Sequence, residues 1–337
     1  MNDEFYEPSL EPEILEKVRK QRFSHEIAGV SSDNSSRLKE ISLFDLERVN
    51  NLIKGSWDIH IHPGPDPFVT RIGDQIELAI DAYKSGMEGI LFKSHHVSTA
   101  ATVPLVKKAL SLLIPEYKRE SFKVYGGIVL NEWVGGINPE AVLVSARIGG
   151  KVVWPPTVDS SHYRKLLGES KGIDVLDNKG KVVPEMKEVL NIIAKGDLVF
   201  NMSCLSVREI FTLIEEATQL GVKRMNIVHP NHYSTLMTVE QMREASEIGV
   251  YIELTCGRFQ PSICFSWDTF MKAYENIGPD KIIAASDNGI YDSFPPITAF
   301  RHFITGMLTR GIPDTDVETM IKTNPKKLLE GSGLGKF

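Results

Sequence analysis

Eight short apolar runs alternate with eight longer amphipathic stretches from residue 56 onward, and this alternation limits the possible folds more than any other feature. The runs are rich in β-branched residues and end at turn signals, which is typical of strands buried on both faces. Several amphipathic stretches open with Ser, Thr, Asn or Asp and close on Gly, as helices do at their caps. The apolar runs are WDIHI (57–61), GILF (89–92), KVYGGIVL (123–130), KVVW (151–154), LVF (198–200), RMNIV (224–228), VYIEL (250–254) and KIIAA (281–285).

Eight strand–helix units predict an α/β protein of the (β/α)8 TIM-barrel class. The interval between the fourth and fifth runs is the longest and contains IDVLDNKGKVV, which predicts a hairpin insertion at about residues 158–185. An open doubly wound sheet is the alternative, but it requires a glycine-rich phosphate loop after an early strand, and the sequence has none. We therefore expect a barrel over residues 56–331 and an N-terminal helical extension over residues 1–55.

Composition and net charge exclude several classes of protein and of partner. The chain is 42% hydrophobic and 24% charged, which is typical of globular proteins and not of disordered or collagenous chains. A net charge of −6 without any basic run argues against nucleic acid or a membrane surface as a partner. The three cysteines are too scattered for a disulfide framework or a thiolate zinc site.

The chain ends and hydropathy predict where the protein resides. The acidic start lacks the apolar segment of a secretory signal, and no apolar run approaches the roughly 20 residues of a membrane span. These features predict a cytoplasmic protein with a small-molecule partner. A homo-oligomer is expected because closed homo-oligomers are common among soluble proteins.

The first run carries the pair His60 and His62 at its end. In a barrel the functional groups lie at the carboxyl ends of the strands. Alternation along a strand sends Asp58, His60 and His62 to one face and Ile59 and Ile61 to the other. Two imidazoles on a rigid strand can grip one metal ion, and the alternative is a pair of hydrogen-bonded structural histidines.

Lys93, His95 and His96 follow the second run. Lys93 and His95 share a face by the same alternation. A buried lysine needs a carboxylate or a substrate anion as its partner, or it can be carbamylated and bridge two metal ions. We expect His95 to be a metal ligand or a substrate contact, and His96 to contact substrate.

The sixth and eighth runs end in further polar side chains. His229 closes an apolar run and is favoured as a ligand, whereas His232 lies in the loop and is expected to contact substrate. Asp287 can bind metal and accept a proton from the attacking water, although alone it would be read as a helix cap or turn residue. Six of the nine histidines thus fall at three predicted strand ends. Imidazole and carboxylate ligands suit Zn²⁺, Mn²⁺, Fe²⁺ or Ni²⁺, in a site of one or two ions.

This combination resembles the amidohydrolase superfamily of metal-dependent barrel hydrolases. Stretches DIHIHPGPD (58–66), ILFKSHH (90–96), GGIVLN (126–131), KVVWPPTVDS (151–160), VKRMNIVHP (222–230) and SDNG (286–289) are similar to an uncharacterised bacterial branch of it. TNPKKLLEG (323–331) is similar to the chain end of many members. The resemblance covers about residues 50–331. It implies that His60, His62, His229 and Asp287 match the metal and catalytic positions.

Two departures from that pattern stand out. The bridging Lys or Glu that the superfamily often supplies from its fourth strand is absent, since that strand ends at Trp154 and is followed by Pro-Pro-Thr; Lys93 is the candidate substitute. Cys204 stands near the end of the fifth run, where the resemblance implies a histidine. A thiolate there can ligate zinc, and a buried free cysteine is otherwise an apolar filler.

Further candidates for substrate contact are Glu132, Trp154, Cys204 and Arg258. Arg258 follows the seventh run and could hold a substrate carboxylate through a bidentate fork. Its alternative is a surface salt bridge.

These features predict a metal-dependent hydrolase in which an activated water cleaves an amide, ester or related bond of a small, cyclic or carboxylated substrate. The alternatives are a phosphoesterase or a metal-dependent decarboxylase on the same barrel. A binding barrel that has lost its metal is a third alternative, from a different class.

Overall fold

Short strands alternate with helices along the chain in the computed structural model, which describes residues 46–118, 121–257 and 266–331. Most of the predicted N-terminal extension lies outside the described residues. The strand segments in the described parts are β1 (Trp57–Ile61), β2 (Gly89–Phe92), β3 (Lys123–Tyr125), β4 (Gly127–Val129), β5 (Val152–Trp154), β6 (Val199–Met202), β7 (Arg224–Val228), β8 (Tyr251–Thr255) and β9 (Ile282–Ala285).

Helices connect these strands and complete the chain. They are α1 (Leu46–Ile53), α2 (Gln75–Lys84), α3 (Val103–Leu113), α4 (Pro139–Arg147), α5 (Ser161–Leu166), α6 (Pro184–Gly196), α7 (Val207–Gln219), α8 (Val239–Glu247), α9 (Trp267–Ile277), α10 (Pro296–Thr309), α11 (Asp314–Glu318) and α12 (Asn324–Glu330). Short 3-10 turns cover Thr99–Ala101, Glu132–Val134 and Pro279–Lys281, and a π-helical turn covers Thr319–Thr323.

All paired strands are parallel, and each pairs with the next along the chain. The ladder runs β1-β2-β3 and then β4 to β9. Gly126 separates β3 from β4, so these two segments together form the third predicted strand. The ends of the order meet, because the N–H of His62 donates to the carbonyl of Asn288 at 2.8 Å and Ile61 forms a parallel bridge with Asn288. The fold is therefore the predicted α/β class, with helices around a parallel sheet.

Local caps explain where several helices begin. Capping boxes join Asp74 to Glu77 at the start of α2 and Ser206 to Glu209 at the start of α7, and Thr238 with Gln241 opens α8. In each box a side-chain oxygen accepts the backbone N–H three residues on, which satisfies a donor that the first helical turn leaves unpaired.

Two apolar clusters form the core. The larger one lies between strands and helices. The smaller one contains strand residues such as Trp57, Ile59 and Trp154, together with Leu328 and Leu329 of α12. Because its members come from strands and α12, we call it the inner cluster; α12 covers that side of the sheet.

The strict alternation predicted for β1 is wrong. Ile59 packs in the inner cluster, whereas Ile61 packs in the larger one between strands and helices. The pairing of β1 with β2 shifts register between Asp58 and Ile61, and such an irregularity re-aims the side chains that follow it.

The segment between β5 and β6 lies where the hairpin insertion is predicted. It contains α5 and then an antiparallel bridge between Leu176 and Val182. Gly180 has a positive φ of 74°, as the turn at Asn-Lys-Gly requires. Helix α5 has no counterpart in the sequence-based prediction, because its six residues are too few to show a periodic pattern.

Candidate metal centre

Three potential ligand atoms converge at the carboxyl ends of β1 and β9. The Nε2 atoms of His60 and His62 are 3.2 Å apart, and Asp287 Oδ1 lies 3.1 Å from the first and 3.2 Å from the second. Both histidines are buried, and Asp287 is 22% exposed. Within the described residues this is the group of histidine and acidic side chains whose geometry could hold a metal ion.

The backbone around Asp287 is what brings it to the histidines. Asp287 has a positive φ of 52°, and Gly289 follows with φ 139°. A Cβ at Gly289 would lie 1.9 Å from the carbonyl oxygen of His62, so only glycine lets the segment after β9 pass so close to β1.

Glu253 of β8 accepts a hydrogen bond from His60 Nδ1 at 2.7 Å, and Asn226 Nδ2 donates to its other oxygen at 2.6 Å. Burial raises the pKa of Glu253, while the hydrogen bond from Asn226 and the charge of Lys93 oppose that rise. A carboxylate at Nδ1 leaves His60 with its lone pair on Nε2, as in the carboxylate–histidine–metal arrangement. The two residues are 193 positions apart, so the sequence alone does not show that they meet.

The residues present fit a divalent cation. With its proton on Nδ1, His60 presents a lone pair at Nε2, and that lone pair faces an oxygen of Asp287 at 3.1 Å. Two acceptors at this distance repel unless a cation or a proton lies between them. The donor set of two imidazoles and a carboxylate is one that Zn²⁺ and similar ions accept.

The predicted ligand histidines are held neutral by their surroundings. Burial lowers the pKa of each well below its ordinary value, and the positive charge of Lys93 acts in the same direction on each of them. These histidines are His60, His62, His95 and His229. A neutral imidazole has the free lone pair that a metal ligand needs.

Lys93 lies beside the three-atom group but is not part of it. Its Nζ is 3.2 Å from His60 Nε2 and 5.7 Å from the ring centroid of Trp154. The side chain is 1% exposed, and burial lowers its pKa. Trp154, predicted to contact substrate, is also 1% exposed and packs in the inner cluster.

His95 and His96 diverge after β2. The ring of His95 stacks against His62 at 5.1 Å, and its Nδ1 lies 2.9 Å from Thr157 Oγ1. The ring of His96 instead packs against Trp133 at 4.4 Å and Phe68 at 4.9 Å. His95 therefore borders the group of ligand atoms, whereas His96 joins a partly exposed aromatic cluster next to it.

His229 and His232 follow β7. The ring centroid of His229 is 6.0 Å from that of His60 and 4.8 Å from that of His232. His229 has a positive φ of 38°, and its Nδ1 has no hydrogen-bond partner among the described residues. His229 thus lies next to the three-atom group and outside it.

The remaining predicted substrate contacts occupy different environments. Cys204 is a buried free cysteine with φ 58°; burial raises the pKa of its thiol, and the charge of Lys93 opposes this. Glu132 has a side chain 58% exposed, with an Arg164 nitrogen 3.9 Å away. Arg258 lies outside the described residues.

An ion pair in the loop after β1 escaped the sequence reasoning. Arg71 Nη2 donates to Asp66 Oδ2 at 2.6 Å, and both side chains are at most 7% exposed. The charge of Arg71 also lowers the pKa of His62 and His95, so it lies within electrostatic reach of the site. Neither residue follows a strand directly, so the strand pattern in the sequence does not indicate that they lie near the site.

Among the described helices, none is both long and apolar enough to cross a membrane.

A sequence model of the family DUF6282, described as a family of unknown function, matches residues 55–253. No curated protein matches the chain.

Solved structures with a similar fold include an amidohydrolase from Pseudomonas aeruginosa, with 13% identity, a TM-score of 0.57, and coverage of 84% of this chain and 97% of that one. A dipeptidase described as a metallopeptidase has 10% identity, a TM-score of 0.55, and coverage of 84% and 100%. The dihydroorotase of Campylobacter jejuni has 11% identity, a TM-score of 0.51, and coverage of 82% and 83%. The chain therefore has the fold of amidohydrolase-superfamily structures, as the sequence resemblance implies.

Proposed function

The chain belongs to the DUF6282 family, whose function is unknown, and we propose that it is a metal-dependent hydrolase acting on an amide, ester or related bond of a small substrate. One observation carries this proposal: His60 Nε2, His62 Nε2 and Asp287 Oδ1 approach one another to 3.1–3.2 Å at one end of the sheet. The fold similarity to amidohydrolases supports it.

His60, His62 and Asp287 would hold the ion, for which Zn²⁺ is our first choice and Mn²⁺, Fe²⁺ and Ni²⁺ suit the same donors. His95, His229 and Lys93 lie next to these ligands and are the candidates for a second ion or for further coordination. When bound, the ion lowers the pKa of a water molecule and polarises the scissile carbonyl group.

The protein's own groups would orient the reaction and move its proton. Glu253 orients the ring of His60 through Nδ1. Asp287 is the proposed proton acceptor, because its carboxylate lies beside both imidazoles and remains 22% exposed, so it can reach a substrate. It would return the proton to the leaving group. The buried surroundings of His60 and His62 exclude bulk water and strengthen these electrostatic interactions.

Metal analysis of the full-length protein tests the proposal. We expect about one or two equivalents of metal per chain by inductively coupled plasma mass spectrometry, which a His60→Ala/His62→Ala double variant loses. His302→Ala is the matched control, since His302 lies on α10, packs its ring against Phe294 and is not in the ligand group. A wild-type protein that takes up no Zn²⁺, Mn²⁺, Fe²⁺ or Ni²⁺ would overturn the proposal.

Substrate class requires a separate screen. A panel of esters, amides and lactones, each with and without a carboxylate, is incubated with the metal-loaded protein. We expect turnover of at least one member, and we expect it to disappear in the double variant and persist in His302→Ala.

A further inference from the structure

The loop after β7 holds His232 in one tautomer. The backbone N–H of Ser234 donates to His232 Nδ1 at 3.2 Å, and the Ser234 hydroxyl oxygen lies 2.7 Å from the same nitrogen. A backbone amide can only donate, so Nδ1 must carry the lone pair. A neutral imidazole then carries its proton on Nε2.

His232 is neutral in its surroundings. A doubly protonated ring would present an N–H at Nδ1 to the backbone N–H of Ser234, and two donors cannot pair. The ring therefore carries a single proton, and the hydrogen bond from Ser234 leaves that proton on Nε2.

The ring of His232 lies close to the candidate metal centre. The ring lies 4.8 Å from His229, which in turn stacks at 6.0 Å on His60. Asp287 and Lys93 act electrostatically on the same ring. Among the described residues the hydrogen-bond partners of the ring all lie at Nδ1, and none accepts from Nε2.

His60 and His232 have opposite tautomers because different groups face their Nδ1 atoms. At His60 a carboxylate faces Nδ1, and the lone pair points from Nε2 toward the ligand group. At His232 an N–H group faces Nδ1, so Nε2 is a donor and cannot ligate a metal in this form. Through Nε2, His60 is therefore suited to binding a metal ion, and His232 to donating a hydrogen bond.

We propose that His232 is a catalytic residue that donates a hydrogen bond from Nε2–H to the oxygen of the scissile carbonyl group, and that Ser234 is the positioning residue that fixes this tautomer. The inference rests on the proposed function and adds a residue role to it. A donor oriented before the reaction stabilises the negative charge that develops on the carbonyl oxygen.

The tautomer is tested by NMR on the full chain with ¹⁵N-labelled histidine, using long-range ¹H–¹⁵N correlations. We expect the His232 signals, assigned by their loss in His232→Gln, to show the Nε2–H form. A Nδ1–H form would overturn the proposal. His302→Gln should remove a different set of signals and so verifies the assignment.

Ser234→Ala tests the positioning role by the same spectrum. The variant keeps the backbone donor at 3.2 Å but loses the hydroxyl at 2.7 Å. We expect a measurable population of the Nδ1–H form to appear. Unchanged ¹⁵N shifts would overturn the role of the Ser234 side chain.

Acetate serves as the probe for the donor role, because its oxygens carry the charge that a carbonyl oxygen develops. With Zn²⁺-loaded protein, we expect His232→Phe to raise the acetate dissociation constant about tenfold, as loss of a hydrogen bond to a charged group does. His232→Gln retains an N–H donor and should stay within about threefold of wild type. Equal acetate affinity in wild type and His232→Phe would overturn the donor role. Metal uptake is measured first, so a wild-type protein that takes up none of Zn²⁺, Mn²⁺, Fe²⁺ and Ni²⁺ would overturn the proposed function, and this inference with it, in a separate step.

Discussion

Glu253 accepts a hydrogen bond from Nδ1 of His60 at 2.7 Å, although the two residues are 193 positions apart in the chain. Both side chains are at most 1% exposed. The contact joins β8 to β1 and determines which nitrogen of His60 faces the ligand group. The site therefore depends on a partner that is not itself a member of the group of ligand atoms.

Glu253→Gln should weaken metal binding while the fold persists. An amide offers a weaker acceptor to His60 Nδ1, and losing such a support for a ligand costs about 10- to 100-fold in metal affinity. Competition with a chelator measures this affinity. Glu247→Gln on the exposed face of α8 is the matched control and should bind metal like wild type. Unchanged affinity in Glu253→Gln would argue against its orienting role.

Asp287→Asn should retain the fold and abolish turnover. The amide cannot accept the proton of the attacking water, and general-base groups contribute about 10²–10⁴-fold. The measurement is the rate on whichever ester, amide or lactone the wild type hydrolyses. Asp280→Asn, on the exposed turn before β9, should keep full activity. Full activity in Asp287→Asn would exclude the assigned role.

Gly289→Ala should disrupt the site as well as the fold. A Cβ there would meet the carbonyl oxygen of His62 at 1.9 Å, and the backbone has φ 139°. Gly149→Ala is the control, with φ 97° and open space around the new Cβ. The control should lose about 1–2 kcal/mol from backbone strain alone, and Gly289→Ala about 3 kcal/mol or more. Denaturant unfolding measures both, and similar losses would show that the close approach is unimportant.

The Asp66 carboxylate should stabilise the fold in a pH-dependent way. Burial raises its pKa, but His96, the backbone N–H of Phe68 and Arg71 together hold that pKa well below its ordinary value. A depressed folded-state pKa gives stability that is present above the unfolded-state pKa of about 3.9 and is lost as the pH falls further.

Thermal unfolding of Asp66→Asn and wild type checks the direction in which the stabilisation by Asp66 changes with pH. The difference in Tm should be constant from pH 7 to pH 5 and should narrow below about pH 4. Asp280→Asn should show no comparable difference at either pH. A Tm gap for Asp66→Asn that widens on acidification would contradict the assignment.

The strands and their order could be predicted because their signals are local. The run predicted at 57–61 is observed as Trp57–Ile61, and the run at 89–92 as Gly89–Phe92. Side-chain hydrophobicity in a short window records burial on both faces, which is what a parallel strand needs. The placement of histidines at strand ends was predictable for the same reason.

The direction of side chains along β1 was not predictable in the same way. Alternation holds only while the pairing register is regular, and the register with β2 shifts between Asp58 and Ile61. The sequence WDIHI does not predict that shift in register, since it depends on the pairing with the neighbouring strand.

By itself, the sequence determined which residues stand at strand ends and therefore which could meet at one end of the sheet. Only the tertiary structure decided which atoms do meet: His62 with Asp287, His60 with Glu253, and Ser234 with the Nδ1 side of His232. The first two contacts join residues more than 190 positions apart, so they form only when the sheet brings its first strand beside its last ones. The third is local but depends on loop backbone geometry, and hydrophobic periodicity does not encode that geometry.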